Sequence, residues 1–132
     1  MSITITVDAN VILSALLRGK SSSLLFDPRF SFVTTAFTLR EVKKYIPRLA
    51  KKLHVTQVEL RKAMRLLPIK VRSRSFYQGS IKMAYTMIGD VDSKDIDVLA
   101  LALELEAYLW SQDKDFEKTG YVKLLKTHDL IG

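Results

Sequence analysis

The feature that most constrains this chain is a regular exchange between two hydrophobic periods. ITITV, residues 3–7, alternates β-branched residues and stops at Asp8, which is a strand pattern. ANVILSALL, 9–17, then reads as a helix ended by Gly19. The exchange repeats along the chain. FSFVTT (30–35) is a strand, AFTLREVKKYI (36–46) a helix stopped by Pro47, and IKVR (69–72) a third strand. Between them, 48–53 and 56–66 form a basic helical pair with Thr56 as a cap. SFYQGSIKMAYTMI (75–88) is a helix that contains Gly79 and closes at Gly89. A helix over 95–106 precedes a strand at AYLWS (107–111), and VKLLK (122–126) supplies a fifth. Strands alternating with helices predict an α/β fold whose mostly parallel sheet is covered on both faces. No repeat or internal linker interrupts the pattern, so residues 1–132 are expected to form one domain.

Several chemistries are excluded by what the chain lacks. It has no cysteine, which rules out disulfides, a thiol nucleophile and a thiolate zinc site. There is no GxGxxG and no GxxxxGK[ST], so no nucleotide-phosphate loop is signalled. MSITITVDAN is no signal peptide and no apolar run approaches a membrane span, so a cytoplasmic protein is expected.

Charge is divided along the chain. Residues 18–82 hold sixteen Lys and Arg against three acids, and residues 83–132 hold five Lys against ten acids. A basic segment of this size points to a polyanionic partner, RNA or DNA, although a solvated helical pair has the same composition. The cations that would meet such a partner are Arg40, Lys43, Lys44, Lys51, Lys52, Arg61, Lys62 and Arg65.

In open α/β sheets, sites form beyond the carboxyl ends of the strands. Asp8 follows the first strand there, and Asp113 and Asp115 follow AYLWS. Helical geometry, at about 100° per residue, sorts the remaining acids. With Phe37 at zero, the apolar arc runs from Tyr45 at about 80° to Leu39 at about 200°, and the Lys and Arg residues fill the far side. Glu41 falls near 40°, on the apolar side. There it either enters a site or bends out to Lys44. In DSKDIDVLALALEL (92–105), Asp95 shares a side with Leu99 and Ala102, whereas Asp97 falls about 200° away beside Glu104. Asp92 is therefore expected to cap, Asp97 to face water, Asp90 to lie in a loop, and Asp95 to do chemistry.

If Asp8, Glu41, Asp95 and an acid of DKD converge, their mutual repulsion calls for a hard cation. Mg²⁺ and Mn²⁺ take oxygen ligands and suit such a set. A cation so held polarises a phosphodiester and activates water.

Taken in order, IVDANVILSALL, LREV, DIDVLALALEL and AYLWSQDKDF resemble the PIN-domain ribonucleases over essentially the whole chain. The resemblance implies a three-layer α/β/α sandwich and a Mg²⁺- or Mn²⁺-dependent endoribonuclease acting on single-stranded RNA. It also implies a toxin of a toxin–antitoxin pair, held by a small antitoxin protein and forming a homodimer. Carried over by residue, the catalytic and metal-binding acids are Asp8, Glu41, Asp95 and Asp113, with Asp115 the other possibility for the fourth. Ser111 stands where the family often has Ser or Thr near the metal. Asn10 would orient a carboxylate, or else cap the first helix. Asp97 departs from the proline or small residue usual at its position. The alternative function is a non-catalytic RNA-binding module built on the basic 40–74 region; a phosphotransferase using Asp8 as nucleophile is a third and weaker reading. The helix stripe of Phe76, Tyr77, Met83, Tyr85 and Met87 reads as core, or as a dimer face.

Overall fold

The computed structural model describes residues 2–17, 21–89 and 93–131. Five strands, β1 (Ile3–Val7), β2 (Phe30–Thr35), β3 (Ile69–Arg72), β4 (Tyr108–Trp110) and β5 (Leu124–Leu125), form one sheet in the order β3-β2-β1-β4-β5. Every pairing is parallel, with Ile5 level with Phe32 and Tyr108, and Val7 level with Trp110. The helices of the described residues are α1 (Ala9–Leu16), α2 (Ser21–Leu24), α3 (Ala36–Lys44), α4 (Ile46–Leu53), α5 (Gln57–Leu66), α6 (Arg74–Tyr77), α7 (Ile81–Ile88), α8 (Ser93–Leu105) and α9 (Thr127–Leu130).

Strand alternation sends side chains to two separate cores. Ile5, Val7, Phe32 and Trp110 pack with α1, α4 and α5 on one face. Val33 and Leu109 pack with Tyr77, Ala84, Ile88 and the buried run Val98–Ala102 on the other. The result is the three-layer α/β/α sandwich. The chain leaves β1 for β2 on one side and returns to β4 on the other, so strand order switches between β1 and β4. A crevice opens at such a point beyond the carboxyl ends.

Two elements differ from expectation. Pro47 does not stop α3, which already ends at Lys44; it occupies the first turn of α4. A missing N–H costs nothing there. The helix expected over 75–88 is broken into α6, a 3₁₀ turn at Gln78–Ser80 and α7, with Gly79 at the break. The stripe on it is divided rather than core throughout: Tyr77 is fully buried, while Phe76, Met83 and Tyr85 are exposed. The expected Gly19 stop and Asp90 and Asp92 lie outside the described residues.

Candidate active site

Asp8 is the residue on which β1 becomes α1. Its extended backbone ends the strand and its carboxylate accepts from Val11 N at 3.1 Å, capping the helix. The helix cap is therefore Asp8 and not Asn10, which is exposed beside it. The other Asp8 oxygen accepts from the Ser111 hydroxyl. Ser111 follows β4, and its hydroxyl in turn accepts from Asp113 N at 3.0 Å. Asp113 then accepts from Asp115 N at 2.9 Å and starts a 3₁₀ turn over Lys114–Thr119. One chain of hydrogen bonds thus ties the two sides of the switch point together.

Across the crevice stands α3. Thr35, at the end of β2, caps it through Thr38 N at 2.8 Å, and the Thr35 and Thr38 hydroxyls bond at 2.7 Å. This cap fixes the helix that carries Glu41. Glu41 is buried and also pairs with Lys44 Nζ at 2.9 Å, so the two placements open in the sequence are both realised. From α8, Asp95 completes the wall, one turn before the fully buried Leu99.

Asp8, Glu41, Asp95, Asp113 and Asp115 all line a single pocket of about 270 Å³, with Asn10, Thr38 and Tyr45 among its other walls. Thr38 and Tyr45 carried no signal of their own in the sequence; the TTAFT spacing around the α3 cap is the trace Thr38 leaves. Within the pocket, Asp95, Asp113 and Asp115 each offer a carboxylate oxygen within 4.8 Å of the others. Asp8 stands on the wall near Asp113, held by its two donors. Burial pushes its carboxyl up to about 6, against the pull of the Ser111 hydroxyl and the Val11 amide, and the negative charge of Asp113 adds to the rise. Hard oxygen donors crowded in a partly buried pocket fit Mg²⁺ or Mn²⁺, whose charge would relieve the repulsion.

Asp97 corrects the sequence reading. It is 4% exposed, not solvated. The buried Tyr77 hydroxyl donates to it and Arg74 Nε lies 3.9 Å away. The helical angle was right, since Glu104 on that side is exposed and accepts from Ser80 at 2.9 Å. What the angle does not carry is the cover that α6 lays over this part of α8. The Asp97 charge and burial push the Tyr77 hydroxyl well above its ordinary value, burial contributing most.

The eight expected RNA-contacting cations are all exposed but do not share one place. Lys44 stands at the acidic pocket. The Arg40 guanidinium lies 5.7 Å from the centre of the Phe37 ring. Lys43, Arg61 and Arg65 border a separate apolar groove with Leu39, Met64 and Ile69. Lys51 and Lys52 lie on α4 and Lys62 on α5.

The architecture is shared with solved structures. The chain is similar to VapBC2 from Rickettsia felis, solved bound to a promoter DNA fragment, at 13% identity and a TM-score of 0.68, covering 94% of this chain and 98% of that one. It is similar to a toxin–antitoxin complex from Klebsiella pneumoniae at 20% identity and a TM-score of 0.66, covering 93% and 97%. It is also similar to the Mycobacterium tuberculosis VapC20, a sarcin–ricin loop cleaving toxin, at 14% identity and a TM-score of 0.64, covering 90% and 97%. No curated protein matches it. The PIN domain model, however, matches residues 6–130, from the strand before Asp8 to the last helix, and the chain therefore belongs to the PIN domain family.

Proposed function

We propose that this protein is a Mg²⁺- or Mn²⁺-dependent endoribonuclease that hydrolyses phosphodiester bonds of single-stranded RNA, and that it is the cytoplasmic toxin of a toxin–antitoxin pair. The observation that carries the reading is the gathering of five carboxylates around one pocket at the β1/β4 switch point of a PIN-family chain. The toxin and its antitoxin partner are supported by the described assemblies of similar fold.

Asp95, Asp113 and Asp115 would hold the ion, with Asp8 and Glu41 completing its surroundings. When bound, the ion supplies charge that polarises the scissile phosphate and lowers the pKa of the attacking water. The chain's own residues do the rest. Ser111 and the α1 amide hold the Asp8 carboxylate in one orientation. The Thr35–Thr38 cap fixes α3, which carries Glu41 on the wall of the pocket that Asp8 also lines. Lys44 supplies a cation at the rim, where a polyanion meets a wall of acids. The exposed Arg and Lys residues of α3, α4 and α5 raise the local concentration of RNA in a salt-dependent way.

Purified protein with Mn²⁺ is expected to cut single-stranded RNA internally, and Asp8→Asn and Asp95→Asn to abolish cutting with the circular dichroism spectrum unchanged. Cleavage that survives both substitutions and EDTA would refute the metal-dependent reading. Salt-sensitive RNA binding that persists in EDTA, with no products under any metal, would favour the binding module instead.

A further inference from the structure

Two buried side chains with titratable heads, Tyr77 and Asp97, are not among the walls of the acidic pocket. The Tyr77 hydroxyl donates to the Asp97 carboxylate. A desolvated carboxylate costs stability unless it is well paired. Arg74 Nε stands 3.9 Å away, but on a side chain that is 66% exposed, so solvent screens its pull. Phenylalanine and leucine would fill the same volume with no charge to desolvate. Stability alone therefore does not explain the pair. The bonding continues beyond it. Thr35 is level with Arg72 at the end of β3, and α6 starts two residues after that strand, beside the carboxyl end of β2. There the Thr35 side chain hydrogen-bonds the Tyr77 hydroxyl. Thr35 also accepts from Thr38 N at 2.8 Å, and the two threonine hydroxyls are 2.7 Å apart. The protons set a direction. The single Tyr77 proton goes to Asp97, so the Thr35 hydroxyl donates to Tyr77 and the Thr38 hydroxyl donates to Thr35. All four side chains are buried.

We propose that Tyr77 and Asp97 are positioning residues of the acidic pocket, joining the helix that carries Asp95 to the helix that carries Glu41. The inference rests on the ribonuclease reading and adds to it what keeps two walls of the site in register. One end of the chain lies on α8, two residues after Asp95, and Val98 beside it lines the pocket. The other end is Thr38 on α3, which lines the pocket three residues before Glu41. Apolar contact between helices is non-directional and tolerates sliding. A hydrogen bond weakens steeply away from its best angle, so three side-chain bonds in series fix a spacing that apolar packing does not. Buried and fully partnered, such a network also stiffens the core around it. A carboxylate at its end costs stability and returns geometry: α3 and α8 hold their carboxylates at one separation.

The test is a double variant of the full chain, Tyr77→Phe with Asp97→Leu. It removes donor and acceptor together, a change that leaves stability level or raises it when the new side chains fit. The Thr35 proton can then turn to Thr38. Melts in EDTA should show a Tm at or above that of wild type. Mn²⁺ binding, read by calorimetry, is expected to weaken about tenfold, the scale of lost support for a metal ligand. On a short single-stranded RNA, kcat should fall about a hundredfold with KM unchanged, the scale of a 1 Å misplacement. Asp97→Asn alone keeps an acceptor for Tyr77 and should hold both readings close to wild type. A folded double variant with wild-type Mn²⁺ affinity and kcat would overturn the positioning role and leave the ribonuclease standing. Asp97→Asn as impaired as the double variant would overturn it too, by assigning the effect to charge. If the double variant does not fold, Tyr77→Phe read well below its Tm gives the same two readings with the same consequences. A wild-type chain that binds Mn²⁺ but cuts no RNA would overturn the ribonuclease reading, and Mn²⁺ affinity then decides the positioning role. A wild-type chain that does neither would overturn both.

Discussion

Asp8→Asn tests the electrostatics of the site without any assay of activity. In the metal-free protein, the Asp8 carboxyl titrates at about 6 rather than its ordinary 3.8, chiefly because it is buried. Below the ordinary value, folded and unfolded chains both hold the proton and the charge has no effect. Between the two values the folded chain binds more proton than the unfolded one, so stability falls as pH rises. Above about 6 the whole penalty is in place. Roughly two pH units at about 1.4 kcal/mol each make it about 3 kcal/mol at neutral pH. Asn removes that charge and still caps α1, because its carbonyl can accept from Val11 N. Its amide must bond Ser111 in place of a carboxylate, and the poorer fit of that bond costs about 1 kcal/mol. The expected gain is about 2 kcal/mol.

Over 132 residues, an unfolding entropy of about 2.1 cal/mol/K per residue converts this into a rise in Tm of about 7 °C. Thermal melts of both proteins in EDTA, from pH 4 to pH 8, are the assay. The variant should match or fall slightly below wild type at pH 4, overtake it between the ordinary and the raised value, and hold its full lead above about 6. Millimolar Mn²⁺ should reverse the order at pH 7, by stabilising wild type through binding. A Tm difference that is the same at every pH, or a less stable variant at pH 7 in EDTA, would refute the account of a carboxylate buried at a cost.

Four further outcomes follow from the same geometry. Tyr77→Phe deletes the buried donor to Asp97 and should cost about 2 kcal/mol, read as a fall in Tm or in the urea midpoint. Thr6→Val replaces the buried hydroxyl that has no partner among the described residues, and should leave stability level or raise it by up to about 1 kcal/mol, seen in the same melts. Ser111→Ala removes a bond that lowers the Asp8 pKa, so the acid limb of the Mn²⁺-dependent cleavage profile should move to higher pH. Mn²⁺ at about a hundred times its Kd should stabilise wild type by about 2.7 kcal/mol, and Asp95→Asn should remove most of that increment when followed by calorimetry.

How far the molecule could be read in advance depended on whether the signal was local. β1 and β2 lie where their β-branched runs place them, and Thr56 caps α5 through Glu59 N at 3.0 Å. Asp8, Asp113 and Asp115 were legible because Asp8 directly follows β1 and the other two come within five residues of the end of β4, and strand ends in a parallel sheet define a site. Pro47 was misjudged because proline is compatible with a first turn as well as with a stop, and only the length of α3 distinguishes them. The exposure of Met83 and Tyr85 depends on where the break at Gly79 turns α7, and no periodicity records that direction.

Asp97 carries the clearest lesson. Its angle on α8 was sound, but an angle says which way a side chain points and nothing about what lies there. Cover comes from α6, twenty or more residues earlier, in the form of Tyr77 and Arg74. The roughly 200° between Asp95 and Asp97 made one look catalytic and the other wet. That same angle lets a single helix present one carboxylate to the acidic pocket and the other to Tyr77 and Arg74. Because both acids ride on α8, a shift of that helix would move both carboxylates together, and its packing through the fully buried Leu99–Ala102 run resists such a shift.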